Sequence, residues 1–287
     1  MPAVTLKSPA KINLYLKVLG KRPDGYHDIE TVFERIDLCD ELSFRPIPER
    51  IVVKCDNPQV PCDQRNLVYK AAQILKDRYA IPSLGVEITL KKNIPVAAGL
   101  GGASSNCAYT LRGLNELWGL KLEKQEIFEI GSAIGADVAF FLLDTGRAIG
   151  RGRGEVLEAV PQGAGFWYLL VNPGFPVLAK DAYQGLNLGL TPTPGHSTIN
   201  PASLEDIGTD RLKGLIFNSL EDPVVRKHFA ISEIKSEITR SGLKVVMMSG
   251  SGPTVFGAAS SREEVLDARS RLALGEGWRA FIASTLW

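Results

Sequence analysis

Histidine and cysteine are scarce in this chain. Three histidines (His27, His196 and His228) lie far apart, and four cysteines (Cys39, Cys55, Cys62 and Cys107) are separated by 16, 7 and 45 positions. No CxxC pair occurs, which argues against a zinc site built on local spacing. So few, scattered thiols suit a reducing compartment. An excess of one charge is missing as well: 33 lysines and arginines against 32 aspartates and glutamates leave a formal charge of +1. A protein that wraps duplex nucleic acid usually carries a clear basic excess. Long hydrophobic runs are absent. The apolar run from Val138 to Leu143 is far short of the roughly 20 residues of a membrane helix. Lys7 and Lys11 interrupt the N-terminal stretch where a signal peptide needs an apolar core. The expectation is a soluble, cytoplasmic chain with neither nucleic acid nor membrane as partner. Familiar nucleotide signatures are lacking too. There is no GxxxxGK[ST] loop, and Ser104 stands where GxGxxG needs its third glycine. Neither HRD nor DFG occurs.

What is present is a chain of ordinary globular composition, with 287 residues and 45% apolar side chains. That length suits one large domain or two moderate ones. Residues 11–18 alternate, with Ile12, Leu14, Leu16 and Val18 on one face and Lys11, Asn13, Tyr15 and Lys17 on the other. The turn GKRPDG (20–25) and a second strand-like stretch from Tyr26 to Asp37 complete a β-hairpin. Helical spacing appears over 66–79, from about Ser104 to Trp118, and over 124–134. Strands are expected at 86–90, 166–171 and 245–248, and a long loop at 188–202. Six glycines between Gly146 and Gly165 suggest loose packing near a boundary, placing domains at 1–158 and 159–287. Strands and helices mix without strict alternation, so the class is α+β.

The loop PVAAGLGGASS (95–105) is the strongest single signal. It follows a strand and opens a helix. Its glycines let backbone N–H groups approach a ligand, and the helix start adds unpaired donors and partial positive charge. Together these favour a bound phosphate. Ser104 or Ser105 can cap the helix or reach a phosphate oxygen or Mg²⁺, and Gly119 can end it. No cluster of side chains offers a dedicated metal site. Lys11 and Asn13 share one strand face, where a lysine can donate to phosphate; the same pair also suits a plain solvated face. Asp137 heads the run Val138 to Leu143 and reads by itself as an N-cap with its second carboxylate oxygen free. In PDGYHDIET (23–31), Tyr26 and His27 directly follow a turn, where they could hold a planar ring or pack on their own hairpin. SGSGPT (249–254) is either a second backbone cradle for an anion or a simple turn.

Taken in order, PAKINL (9–14), PVAAGLGGASS (95–105) and MSGSGPTVFG (248–257) resemble the three motifs of the GHMP kinase superfamily. PAKINLYLKVLGKRPDGYHDIET and GADVAFFL (135–142) resemble the branch acting on 4-diphosphocytidyl-2-C-methyl-D-erythritol. The resemblance implies a two-domain α+β architecture with the active site in the cleft between domains. It implies ATP-dependent phosphorylation of the 2-hydroxyl of that alcohol, with ATP and Mg²⁺ used and the chain a monomer or weak homodimer. A homoserine- or mevalonate-type kinase is the alternative. By position, Lys11 and Asp137 match the catalytic pair. The ATP loop matches Pro95, Val96, Ala97, Ala98, Gly99, Leu100, Gly101, Gly102, Ala103, Ser104 and Ser105, with Lys92 and Asn106 near the nucleotide. Asn13, Tyr26 and His27 match substrate contacts, and Tyr183 in VLAKDAY matches a second ring-stacking aromatic. Two residues depart from the family pattern. Ala103 replaces a glycine, at little cost if that position is already helical, and Cys107 replaces an alanine inside the helix.

Overall fold

The computed structural model describes residues 3–186, 199–205 and 207–287. Residues 188–198 of the expected loop, including His196, lie outside the described residues. The chain packs as two compact units. The first comprises the described residues up to Ala10, with Cys39–Val96 and Gly101–Leu143; the second comprises Lys11–Leu38, Ala97–Leu100 and the described residues from Asp144 on. The units therefore do not follow a single cut. Residues 11–38, 97–100 and 144–158 pack with the C-terminal half, whereas the expected division at 158/159 groups them with the N-terminal half.

Strands β1 (Val4–Lys21) and β2 (His27–Pro48) contribute residues to both units. In the first unit the C-terminal part of β2 pairs antiparallel with β4 (Leu84–Lys91), from Glu41 opposite Lys91 to Pro48 opposite Leu84. Strand β3 (Ile51–Cys55) adds in parallel on the other side of β4. Helices α1 (Leu67–Arg78), α2 (Gly102–Leu117), α3 (Lys124–Ile134) and α4 (Ala136–Leu142) complete the unit. Asn66 caps α1 by accepting the Val68 N–H at 2.9 Å. Helix α2 presses onto the sheet at Gly113, where a Cβ would come within 2.5 Å of the Phe44 ring. Any larger residue there would push the helix out.

The second unit holds the N-terminal part of β2, which pairs antiparallel with β5 (Arg147–Arg151), and β5 with β6 (Val156–Val160). Its other elements are β7 (Trp167–Asn172), α5 (Ala179–Gln184), a 3-10 turn at Pro201–Leu204, α6 (Thr209–Leu215), β8 (Phe217–Asn218), α7 (Glu221–Lys227), α8 (Ala230–Arg240), β9 (Val245–Met248), β10 (Val255–Ala259), α9 (Arg262–Arg271) and β11 (Arg279–Ser284). Four of them form an antiparallel sheet in the order β11-β7-β10-β9. Ile231, Ile234 and Ile238 of α8 and Val265 and Ala268 of α9 pack with Leu169 and Val171 of β7 in one core. The spacing of 3 and 4 along α8 puts its isoleucines on one stripe, so the helix can bury it. The expected loose packing around 146–165 does not extend to β5, which is buried over most of its length, with a Cβ at Gly150 set to sit 2.8 Å from the Phe33 ring; β6 and residues 161–165 are largely exposed. Gly146, Gly150 and Gly163 admit close neighbours from distant segments. Beside them the fully buried Arg147 donates to Glu34 through Nε at 2.6 Å and to the Leu204 carbonyl at 2.8 Å. The Tyr168 hydroxyl bonds the same carboxylate, and burial followed by the Glu34 charge holds its pKa well above the usual phenol range.

Candidate active site

Three motif segments meet around Lys11 in the second unit. The Lys11 N–H donates to the Leu100 carbonyl at 3.0 Å. Ser249 Oγ donates to the Gly99 carbonyl at 3.0 Å and accepts the Asn13 N–H at 3.4 Å. Thr254 N–H reaches the Ala98 carbonyl at 3.4 Å. Asn218 on β8 holds the last loop from below, donating through Nδ2 to the Met248 and Gly250 carbonyls, each at 2.8 Å. Gly250 is the contact point: a Cβ there would lie 3.0 Å from Asn13 Oδ1 and 3.5 Å from Lys11 Nζ. Gly99 is equally constrained, with φ +74° and a Cβ position that collides with the Ser249 carbonyl. The loop 249–254 is thus a wall of the Lys11 cluster and not a free turn.

The strand face carrying Lys11 and Asn13 is not solvated. Lys11 is 5% exposed and Asn13 1%, so the plain reading of that face as a wet surface is corrected. Lys11 Nζ donates to Asn13 Oδ1 at 2.6 Å and lies 5.3 Å from the Phe33 ring centre. The flanking apolar residues are buried as the alternation predicts, yet these polar ones are covered too.

In the first unit a second polar cluster fixes the other end of the Gly-rich loop. Asp40 is fully buried. Its Oδ1 accepts the N–H groups of Asn93 and Ile94 at 2.8 and 2.9 Å, and its Oδ2 accepts Asn106 Nδ2 at 2.9 Å and the Lys92 ammonium. Lys92 also donates to Asn106 Oδ1 at 3.1 Å. Asn106 Nδ2 lies 2.9 Å from Ser8 Oγ, which bonds Ser105 Oγ at 2.8 Å. Gly101, in left-handed conformation, is the N-cap of helix α2, and no side chain caps the helix start. Ser104 and Ser105 therefore do not cap it. Both lie inside the helix, and Ser105 is buried against Ser8. With no side chain accepting from its first turn, α2 keeps its N-terminal donors available to an anion. The Lys92 ammonium adds charge nearby, since a Cβ on Gly102 would be 3.3 Å from it. Ala103 is already helical, so the departure from glycine costs nothing there. Ala97, by contrast, holds φ +50° without being glycine.

Asp137 is not the N-cap of its helix. Gly135, which ends α3, also caps α4, and Asp137 falls in the first turn, where a carboxylate favours the helix dipole. The aromatic residues form a third group, in the second unit. The His27 and Tyr183 rings stack on each other at 5.0 Å and 22°, leaving no gap for a third ring between them. Tyr26 is 58% exposed, with the Arg153 guanidinium 5.1 Å from its ring centre. Burial, then the Lys21 charge, holds the His27 pKa below its ordinary 6.5. Phe33, Asp40, Arg153 and Asn218 escape sequence reading because each is defined by a partner distant in the chain. Among the described residues no cluster of histidine, cysteine or carboxylate could hold a metal ion, and no helix is long and apolar enough to cross a membrane.

The chain matches the models of the GHMP kinases N-terminal domain over residues 66–145 and the GHMP kinases C-terminal domain over 203–275. A 4-diphosphocytidyl-2-C-methyl-D-erythritol kinase of Bacillus cereus is 44% identical over 256 residues, 88% of this chain and 86% of the relative. One from Syntrophus aciditrophicus is 40% identical over 280 residues, covering 97% and 98%. A crystal structure of a 4-(cytidine 5'-diphospho)-2C-methyl-D-erythritol kinase superposes with TM-score 0.78 at 30% identity over 98% of both chains. With the α+β architecture and the motif geometry above, the chain belongs to the 4-diphosphocytidyl-2-C-methyl-D-erythritol kinase family of the GHMP kinases, which are ATP-dependent small-molecule kinases.

Proposed function

We propose that this chain transfers the γ-phosphoryl group of ATP to the 2-hydroxyl of 4-diphosphocytidyl-2-C-methyl-D-erythritol, releasing the 2-phosphate and ADP in non-mevalonate isoprenoid precursor biosynthesis. It does so in the cytoplasm. The observation that carries this reading is the meeting of residues 11–13, 97–100 and 249–254 around one buried ammonium. Phosphoryl transfer runs through a loose transition state, so placing charge matters more than a strong base. Lys11, fixed by Asn13 and by its own backbone bond to Leu100, offsets charge developing on the transferred group. The uncapped start of α2 and the loop amides hold the ATP phosphates, with Lys92 behind them.

Asp137 orients the acceptor hydroxyl and takes its proton late, worth roughly 10²–10⁴-fold. Mg²⁺ fits without a side-chain cluster, because phosphate oxygens can supply most of its ligands. Ser104 is the loop hydroxyl left to join them, and the ion neutralises phosphate charge when bound. Tyr26 offers the open ring face for the pyrimidine. His27 offers its imidazole, held neutral, as a hydrogen-bonding edge, and Tyr183 backs that imidazole rather than stacking on the base. Asp137→Asn tests the assignment: turnover falls at least ~10²-fold while ATP affinity, read by calorimetry, changes little. Wild-type turnover in that variant would remove Asp137 from the chemistry.

A further inference from the structure

The segment PDGYHDIET ends in Thr31, which the reaction as described leaves without a role. Thr31 lies on β2, fully buried, two residues before Phe33 and so on the same strand face. Its hydroxyl has one proton, and that proton goes to the Tyr15 carbonyl at 2.7 Å. Toward any other neighbour the oxygen can only accept. The neighbour is Asn13, whose Nδ2 donates to Thr31 Oγ1 at 2.7 Å. A carboxamide has a donor end and an acceptor end. With the donor end committed to Thr31, the acceptor end, Oδ1, must face the other way, where it receives Lys11 Nζ at 2.6 Å. The backbone of Asn13 is pinned separately through Ser249 Oγ, so the carboxamide orientation is the one freedom left. Gly150, opposite Thr31 in the β2–β5 pairing, makes the arrangement possible: a Cβ there would sit 3.1 Å from the Thr31 methyl.

We infer that Thr31 is a positioning residue of the transfer reaction, which sets the Asn13 carboxamide so that its oxygen, and not its NH₂, meets the Lys11 ammonium. The inference rests on the role given to Lys11 under the proposed function. Without the Thr31 hydroxyl the Asn13 NH₂ loses its buried acceptor, and the carboxamide orientation is held from the Lys11 side alone. Reversal would set NH₂ against NH₃⁺ in a buried place, and the ammonium would leave the position from which it meets the phosphoryl group. A chain of one-way donors, from Lys11 through Asn13 and Thr31 to Tyr15, thus ties the ammonium to the backbone of its own strand. Phe33, on the same face of β2, adds the ring beneath it.

The test uses Thr31→Val, which keeps shape and removes the hydroxyl, and Thr31→Ser, which keeps the hydroxyl and removes the methyl. Thr31→Val lowers kcat about tenfold, the size expected for one buried hydrogen bond, with KM for ATP within about twofold of wild type. Thr31→Ser restores kcat to within about twofold. On an Asn13→Ala background, Thr31→Val has no further effect, since the residue it acts through is gone. A second readout needs no acceptor: the Asn13 side-chain amide protons, assigned in a ¹H–¹⁵N spectrum, exchange with solvent at least ~10-fold faster in Thr31→Val than in wild type or Thr31→Ser. Equal loss in the Val and Ser variants would show that the methyl matters and overturn the inference. So would additivity with Asn13→Ala, or unchanged amide exchange in Thr31→Val. A wild-type chain inactive on the cytidyl alcohol would instead overturn the proposed function, with the amide exchange still deciding the role of Thr31.

Discussion

The Asp40 cluster and the Tyr26–His27–Tyr183 group are built on opposite principles. Around Asp40 every polar atom faces another protein atom: two backbone N–H groups, an amide and an ammonium converge on one carboxylate that water does not reach. Around Tyr26 the side chains are half-buried or exposed, and their contacts are ring on ring or cation over ring. The first arrangement holds its shape without a ligand. The second leaves a ring face and an imidazole edge to be completed by one. The first cluster is therefore preorganised, while the second offers surface that a ligand would cover on binding.

The strongest way to break this contrast is Asp40→Asn. The carboxamide can keep its oxygen toward Asn93 and Ile94, but it then sets NH₂ against the buried Lys92 ammonium. Breaking such a pair costs about 3–5 kcal/mol, readable as a lower unfolding midpoint in denaturant. A variant as stable as wild type would show that the cluster is not a structural anchor. Tyr26→Leu should do the reverse. Losing the stacking face costs about 1–3 kcal/mol of binding, so KM for the cytidyl alcohol rises about 5- to 150-fold with no change in unfolding midpoint. If stability fell instead, the exposed ring would belong to the fold.

A smaller effect sharpens the picture of His27. Its pKa is depressed in the folded chain, so the imidazole stays neutral until the pH falls below its ordinary 6.5. Protonation then costs both stability and the neutral hydrogen-bonding edge. Tyr183→Leu uncovers the ring and lets the pKa return upward. The acid limb of the 1/KM profile should then move to higher pH, with kcat at pH 8 unaffected. An unmoved limb would detach Tyr183 from His27.

Local elements were legible in the sequence wherever one stripe of apolar side chains faced one core. The spacing over 124–134 and the glycine after it predict α3 to the residue, because a helix that buries a single stripe is written in its own period. The hairpin and the Gly-rich loop into α2 were legible for the same local reason. Legibility failed where a residue serves a distant partner. Alternation marks Lys11 and Asn13 as outward-facing, and nothing within the hairpin's first strand tells that Thr31, Phe33 and Gly250 will cover them. Asp137 reads as a cap because the rule weighs the acidic residue, whereas Gly135 ends one helix and starts the next. Ser105 reads as a cap too, yet its hydroxyl is held by Ser8, 97 positions away.

The most direct test of the central claim is ATP-dependent ADP release by the purified chain, with Mg²⁺, on four acceptors in parallel: 4-diphosphocytidyl-2-C-methyl-D-erythritol, homoserine, mevalonate and galactose. The account predicts turnover with the cytidyl alcohol and background rates with the other three. Turnover with one of those three and none with the cytidyl alcohol would contradict it.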